Sequence, residues 1–263
     1  MIITSNYKQM KKKIAINGSG RIGRASLRAN LQRNLFEIVA INDLSDIHQT
    51  AHLIKYDTMY GTLHNKVEVD GEYIVIDGHK ILHTQERDPS KLPWKELKID
   101  IVLECTGIFK TPEKAGLHLQ AGAKKVLLSA PGKGVERTIV CGVNDAELVD
   151  SDIIVSNASC TTNCTAPIVK LLDEKFGIQS GFLSTVHSYT NSQNIVDSSH
   201  KDIRRGRAAA LNIIPTTTGA TKAVVQVLPN LKGKLTGQAY RVQTATGSII
   251  ELNLVLEKDV TVE

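Results

Sequence analysis

The sequence predicts an α/β chain in two parts, a parallel-sheet half over residues 12–157 and an α+β half over residues 158–263. Three observations predict it. Short apolar runs alternate with helical patterns through the first part, as parallel β-strands joined by helices require. A glycine-rich hexapeptide, Gly18-Ser19-Gly20-Arg21-Ile22-Gly23, sits between the first such run and the first helical pattern. After Asn157 the texture changes to one helical stretch followed by long strand-like runs.

The elements follow in order. Ile14–Asn17 reads as a first strand, Arg21–Asn34 as a helix and Phe36–Asn42 as a second strand. The short apolar runs Asp100–Glu104, Lys125–Ser129 and Ile153–Ser156 read as further buried strands. Lys66–Leu82 alternates apolar and polar residues around Asp70-Gly71 and Asp77-Gly78, pairs that favour tight hairpins, so an antiparallel excursion is expected there. Beyond the border come a helix over Cys160–Phe176, a β-type run over Gly181–Thr190 and strand-like alternation over Leu235–Glu257. Between them, the polar and basic stretch Asn191–Pro215 has little periodicity. A compact domain rarely spends so long a segment on structureless loop, which assigns it to binding or assembly.

Composition narrows the function classes. With 41% hydrophobic and 22% charged residues the chain can bury a core, which excludes disorder. No apolar run reaches the ~18 residues a membrane helix needs, so a membrane protein is not expected. The net charge of +5 is scattered, with Lys11-Lys12-Lys13 and Arg204-Arg205-Gly206-Arg207 the longest basic runs. That is too little for a nucleic-acid partner, although the second run suits an anionic small molecule. Four cysteines do not make a disulfide framework in 263 residues. Met1–Lys13 lacks the continuous apolar segment of a secretory leader and reads as a lead-in, with Met10 an alternative start. A reducing cytoplasm is the expected compartment.

The hexapeptide is G-x-G-x-x-G in a strand-to-helix context, the fingerprint of a Rossmann-type dinucleotide-binding domain. Gly18, Gly20 and Gly23 allow a tight turn and close approach of a pyrophosphate, which the free N–H groups of the helix N-terminus attract. Asp43 ends the next strand, where a carboxylate accepts from ribose hydroxyls and repels a 2′-phosphate. NAD is therefore favoured over NADP, and Leu44 adds no donor to offset that.

Cys160, in Ser159-Cys160-Thr161-Thr162-Asn163-Cys164, lies at the expected start of a helix, where the dipole and free N–H groups stabilise a thiolate. Cys164, one turn on, reads as a packing residue. One C-x3-C pair with no second pair cannot complete a tetrahedral site, so no metal is expected. His187, in Ser184-Thr185-Val186-His187-Ser188-Tyr189-Thr190, is the best partner to manage the thiol's protons. Of the other histidines, His200 stays undecided and the rest are assigned nothing. Cys105 and Trp94 read as core.

Taken together, Asn17–Arg24, Ser159–Cys164, His187–Thr190, Arg207–Gly219 and Leu235–Val242 resemble glyceraldehyde-3-phosphate dehydrogenases, in register from about residue 12 to the end of the chain. The resemblance implies a Rossmann-type NAD-binding domain followed by an α+β catalytic domain. It implies that Cys160 attacks glyceraldehyde 3-phosphate, that His187 takes the hydroxyl proton as hydride leaves for NAD, and that inorganic phosphate cleaves the thioester. By the same resemblance Thr190 and Arg241 hold the substrate's phosphate. Ser159, Thr161, Thr218 and Gly219, with Arg205 beside them, hold the attacking phosphate. Arg21 and Ile22 contact the cofactor's pyrophosphate, Asp43 its ribose, and Arg87 and Ser129 add further contacts. The stretch 191–215 resembles the family's intersubunit loop and implies a homotetramer.

Some residues depart from the family's pattern. Ser19 stands where an aromatic is common, Ser192 where Asp is frequent and Gln243 where Pro is frequent. Ser198-Ser199 resembles NADP-accepting members whereas Leu44 resembles NAD-specific ones, which opens use of both cofactors. The sequence stops at Val260-Thr261-Val262-Glu263, where family members begin a helix and continue with further strands, a terminal helix and an asparagine that holds the nicotinamide carboxamide. The catalytic domain is accordingly expected to be C-terminally incomplete. Two other readings stand beside the leading one: an erythrose-4-phosphate dehydrogenase, and a catalytically impaired NAD-binding or interaction protein.

Overall fold

A computed structural model describes residues 11–261. The reading of the lead-in as far as Met10, with the choice of start, lies outside the described residues. The chain divides into two compact units, residues 1–137 with 150–156, and residues 138–149 with 157–263.

In the first unit β1 (Lys13–Asn17), α1 (Arg21–Arg33), β2 (Glu37–Asn42) and α2 (Ile47–Lys55) open the chain. A two-strand ribbon, β3 (Tyr56–Asp57) and β4 (Gly61–Thr62), is followed by β5 (Val67–Asp70), β6 (Tyr73–Ile76) and β7 (His79–Thr84). Then come α3 (Trp94–Leu97), β8 (Ile101–Glu104), α4 (Pro112–Gln120), β9 (Lys125–Leu128), β10 (Arg137–Thr138) and β11 (Ile154–Ser156). The sheet runs β10-β11-β9-β8-β1-β2-β7-β6-β5. β1 is central and parallel to both β2 and β8. The expected excursion is present: β5, β6 and β7 are antiparallel neighbours. The β6–β7 turn puts Asp77 and Gly78 at φ 48° and 82°, the paired positive values a two-residue hairpin needs.

Alternation along β1 covers both sheet faces. Ile14 and Ile16 join Leu27 of α1 and Ile54 of α2 in one core, while Ala15 joins Ala40, Val102 and Trp94 in another. α1 ends one residue earlier than its pattern suggested, because Asn34 takes a left-handed conformation and closes the helix as its C-cap.

The second unit holds α5 (Cys160–Phe176), β12 (Ile178–Ser188), β13 (Ile214–Thr216), α6 (Ala220–Val227), β14 (Leu235–Val242) and β15 (Ser248–Leu256). Its sheet runs β13-β14-β12-β15. The alternating run Leu235–Glu257 is thus two strands that are not neighbours: β12 lies between them, parallel to β14 and antiparallel to β15. α5 and α6 bury Ala166, Val169, Val224 and Val227 with Ile178 of β12. The stretch 191–215 is folded on itself by backbone bonds, among them Asn194 N–H to Arg205 O at 3.1 Å and Ser198 N–H to Gly206 O at 2.9 Å.

Candidate active site

The second unit brings a thiol and an imidazole together at the ends of α5 and β12. Ser159 is extended and caps α5, its Oγ accepting from Thr162 N–H at 3.1 Å. Cys160 is therefore the first helical residue and sits at the positive end of a 17-residue helix. His187, one residue from the end of β12, is 8% exposed. Its Nε2 lies 3.2 Å from Cys160 Sγ. The hydrogen bond from His187 outweighs partial desolvation, and with the imidazole's charge and Thr161 it lowers the thiol's pKa to about 7. About half of Cys160 is then thiolate at neutral pH.

Arg241 of β14 stands on the other side of the imidazole. It pairs in register with His187 across the parallel strands. Its Nη1 lies 2.6 Å from His187 Nδ1 and donates to Ser188 O at 2.9 Å. Burial, then the neighbouring Arg205 charge, push the Arg241 guanidinium below its usual pKa. Its Nε is a buried donor without an acceptor among the described residues. Arg205 Nε donates to Thr216 Oγ1 at 2.9 Å. Two guanidinium groups near one thiolate suit tetrahedral oxyanions.

The remaining residues singled out in the sequence lie around them or elsewhere in their units. Thr161 is buried with its hydroxyl 4.0 Å from Cys160 Sγ. Thr190 is exposed just past β12, its hydroxyl 2.9 Å from that of Ser192. Thr218 Oγ1 accepts from Ala220 N–H at 3.1 Å, and Gly219 precedes α6 with no side-chain cap. Cys164 does not pack as expected. Thr161, Thr165 and Ala166 are the buried side of α5, and Cys164 shares the exposed side with Cys160.

In the first unit the three glycines of the fingerprint differ in what surrounds them. A Cβ on Gly18 (φ +94°) would lie 2.8 Å from the Thr106 side chain, and one on Gly23 would lie 2.1 Å from Gly18 O. At Gly20 nothing lies within 4 Å, and α1 starts there without a side-chain cap. Ile22 is exposed beside it. The Arg21 guanidinium is engaged by Asp57 and lies 5.3 Å from the Tyr60 ring centre. Asp43 accepts from Ser19 N–H at 2.7 Å, Ser19 Oγ at 2.9 Å and Ser45 N–H at 2.9 Å. Burial opposes its ionisation, but these bonds prevail and hold the carboxyl below its usual range. Arg87 is exposed beyond β7, and Ser129 follows β9, its N–H donating to Glu104 O at 3.0 Å.

Sequence reasoning missed a buried network beneath the fingerprint. Glu104 and His118 are 1% and 0% exposed. Glu104 accepts from Asn17 Nδ2 at 2.6 Å, Thr106 N–H at 2.7 Å and His118 Nε2 at 3.1 Å. Trp94 Nε1 donates to His118 Nδ1 at 3.0 Å, which leaves the histidine proton on Nε2. A glutamate closing an otherwise apolar strand was the available signal. Burial raises the nearby Cys105 thiol to about 11, which makes it inert. Among the described residues no three or more His, Cys, Asp or Glu are grouped to hold a metal ion.

Comparison with known proteins agrees with this geometry. Two family models match: the glyceraldehyde 3-phosphate dehydrogenase NAD binding domain over residues 12–112 and its C-terminal domain over residues 159–263. A glyceraldehyde-3-phosphate dehydrogenase of Clostridium pasteurianum is 53% identical over 253 residues, covering 95% of this chain and 76% of the relative. One of Geobacillus stearothermophilus is 54% identical over 255 residues, covering 97% and 76%. One of Kitasatospora aureofaciens is 55% identical over 251 residues, covering 95% and 76%.

Proposed function

The chain belongs to the glyceraldehyde-3-phosphate dehydrogenase family, and we propose that it runs the family's reaction through Cys160 and His187: NAD-dependent oxidation of D-glyceraldehyde 3-phosphate, with uptake of inorganic phosphate, to 1,3-bisphosphoglycerate. The observation that carries this is the 3.2 Å contact between a thiol at a helix N-terminus and a histidine at a strand end. Cys160 thiolate attacks the aldehyde carbon and forms a hemithioacetal. His187 Nε2 takes the hydroxyl proton as hydride departs, leaving an acyl thioester on Cys160. Inorganic phosphate then attacks the thioester carbonyl, the acyl phosphate leaves and the thiolate is restored.

The first unit suits the cofactor. An uncapped helix N-terminus beside the open Gly20, and glycines where a side chain would clash, fit a dinucleotide's pyrophosphate. NAD, when bound, supplies the hydride acceptor. Because the Arg21 side chain is held by Asp57, the backbone N–H groups of Arg21 and Ile22 are assigned the pyrophosphate. Asp43 takes the ribose, with Arg87 and Ser129 as further contacts. An ionised Asp43 favours NAD, while Ser198-Ser199 leave NADP a secondary substrate.

Thr190 and Arg241 are assigned the substrate's phosphate, and Ser159, Thr161, Arg205, Thr218 and Gly219 the attacking phosphate. A homotetramer is supported by the apolar side chains the 191–215 stretch leaves open, among them Ile203 and Leu211 at 83% and 79% exposure. A cytoplasmic location is supported by the four free cysteines. The test is NADH formation by the purified chain. Turnover that requires both glyceraldehyde 3-phosphate and inorganic phosphate is expected. NAD binding without turnover, or a preference for erythrose 4-phosphate, would contradict the proposal.

A further inference from the structure

We propose that Arg241 is a positioning residue that decides which nitrogen of His187 carries the proton, and that a phosphomonoester bound by Arg241 reverses that decision. The inference rests on the reading above that Arg241 receives the substrate's phosphate, and deepens it into a coupling between substrate recognition and proton transfer.

The conflict at Nδ1 carries it. His187 Nδ1 is 2.8 Å from Ser188 O and 2.6 Å from Arg241 Nη1, and Nη1 is 2.9 Å from the same Ser188 O. A guanidinium has only donors and does not lose its proton. With Arg241 in this position, Nδ1 must present its lone pair, and Ser188 O takes its proton from Arg241. The imidazole proton then sits on Nε2, aimed at Cys160 Sγ. That form holds a thiolate well. It cannot take a proton from a substrate hydroxyl, because Nε2 is already occupied and giving up its proton would leave an imidazolate.

The groups facing this imidazole are few. Cys160 comes from α5 and Arg241 from β14, with Arg205 beside Arg241. β15 contributes Ser248 opposite His187 and no charged residue there. Removing Nη1 from Nδ1 is therefore enough to let Nδ1 protonate toward Ser188 O. Two observations show what removes it. Arg241 Nε is a buried donor without an acceptor among the described residues, and the adjoining Arg205 repels Arg241. A phosphomonoester dianion satisfies the donor and the repulsion together by drawing the guanidinium fork onto its oxygens.

The proton count then closes. On phosphate binding Nδ1 takes one proton from solvent, giving an imidazolium beside the thiolate. As sulfur bonds to the carbonyl carbon, Nε2–H passes to the carbonyl oxygen and makes the hemithioacetal hydroxyl. His187 is left neutral with its proton on Nδ1 and Nε2 free. It is then ready to take the hydroxyl proton as hydride leaves for bound NAD.

The experiment is 15N NMR of histidine-labelled full chain, with the His187 signal assigned by its loss in His187→Asn, with and without saturating glycerol 3-phosphate. Binding is measured in parallel by calorimetry. The expected result is an Nε2–H tautomer in the free protein and Nδ1 protonation when the phosphomonoester binds, with the His187 pKa rising by about one unit, a tenfold change in proton affinity. In Arg241→Ala, Nδ1–H is expected without ligand. Arg241→Lys, which keeps a donor, serves if the alanine variant does not fold, and should retain the Nε2–H form. Arg241-dependent binding with an unchanged His187 tautomer would overturn the coupling while leaving the phosphate site standing. Binding that is equal in wild type and both variants would remove the phosphate site and the coupling with it.

Discussion

Cys160 and His187 meet at 3.2 Å, Sγ to Nε2, although 27 residues separate them in the chain. The first belongs to the opening turn of α5 and the second to the closing residues of β12. Neither element alone lowers the thiol to about 7; the histidine hydrogen bond is the largest cause.

That ordering of causes predicts a pH profile. Alkylation of Cys160 by iodoacetamide should rise through a midpoint near pH 7, because the folded thiol ionises there. In His187→Asn the midpoint should move up by one to two units, toward the ordinary thiol value, and the rate at pH 7 should fall by roughly ten- to fiftyfold. An unchanged midpoint would assign the depression to the helix terminus instead.

The fingerprint glycines should separate into a packing position and a binding position. Gly23→Ala forces a Cβ to within 2.1 Å of Gly18 O, and the backbone shift should cost about 1–3 kcal/mol of stability, read as a lower Tm. Gly20→Ala meets nothing within 4 Å at an ordinary φ of −66°. It should keep the Tm and raise KM for NAD by about tenfold or more, through obstruction of the pyrophosphate.

Asp43→Asn should weaken NAD binding by about tenfold, as expected for losing hydrogen bonds to a charged acceptor, and should narrow the gap between NAD and NADP. Because bonds from Ser45 and Ser19 overcome burial and hold the wild-type carboxyl below its usual range, the NAD preference of wild type should stay flat from neutral pH down to about pH 5. A preference that decays above pH 5 would place discrimination elsewhere.

The buried network predicts a stability defect of a different kind. His118→Ala leaves the Glu104 carboxylate without one of its donors and opens a cavity beside Trp94. A cost of about 3–5 kcal/mol is expected, measured by urea unfolding. Glu104→Gln keeps the shape and one acceptor, and should cost less.

These contrasts show how far the sequence was legible. The β1–glycine loop–α1 unit, Asp43, Cys160 and His187 stand where local pattern put them, because each depends on a turn, a cap or a strand end within a few residues. The strand pairing of the second unit was not legible: nothing in Leu235–Glu257 says that β12 inserts between its halves. Cys164 was misread because spacing places it on the side of Cys160, while only the packing of α5 tells which side is buried. The Glu104–His118 pair and the Arg241–His187 contact join residues 14 and 54 positions apart. Their partners are fixed by tertiary register, to which a linear pattern is blind.

The account's central claim is that Cys160 carries the substrate covalently. Intact-mass spectrometry of the chain mixed with glyceraldehyde 3-phosphate and NAD, with inorganic phosphate withheld, tests it most directly. One acyl adduct per chain is predicted, mapped to Cys160, absent from Cys160→Ala and discharged when phosphate is added. NADH formed without an adduct, or an adduct on Cys164, would contradict it.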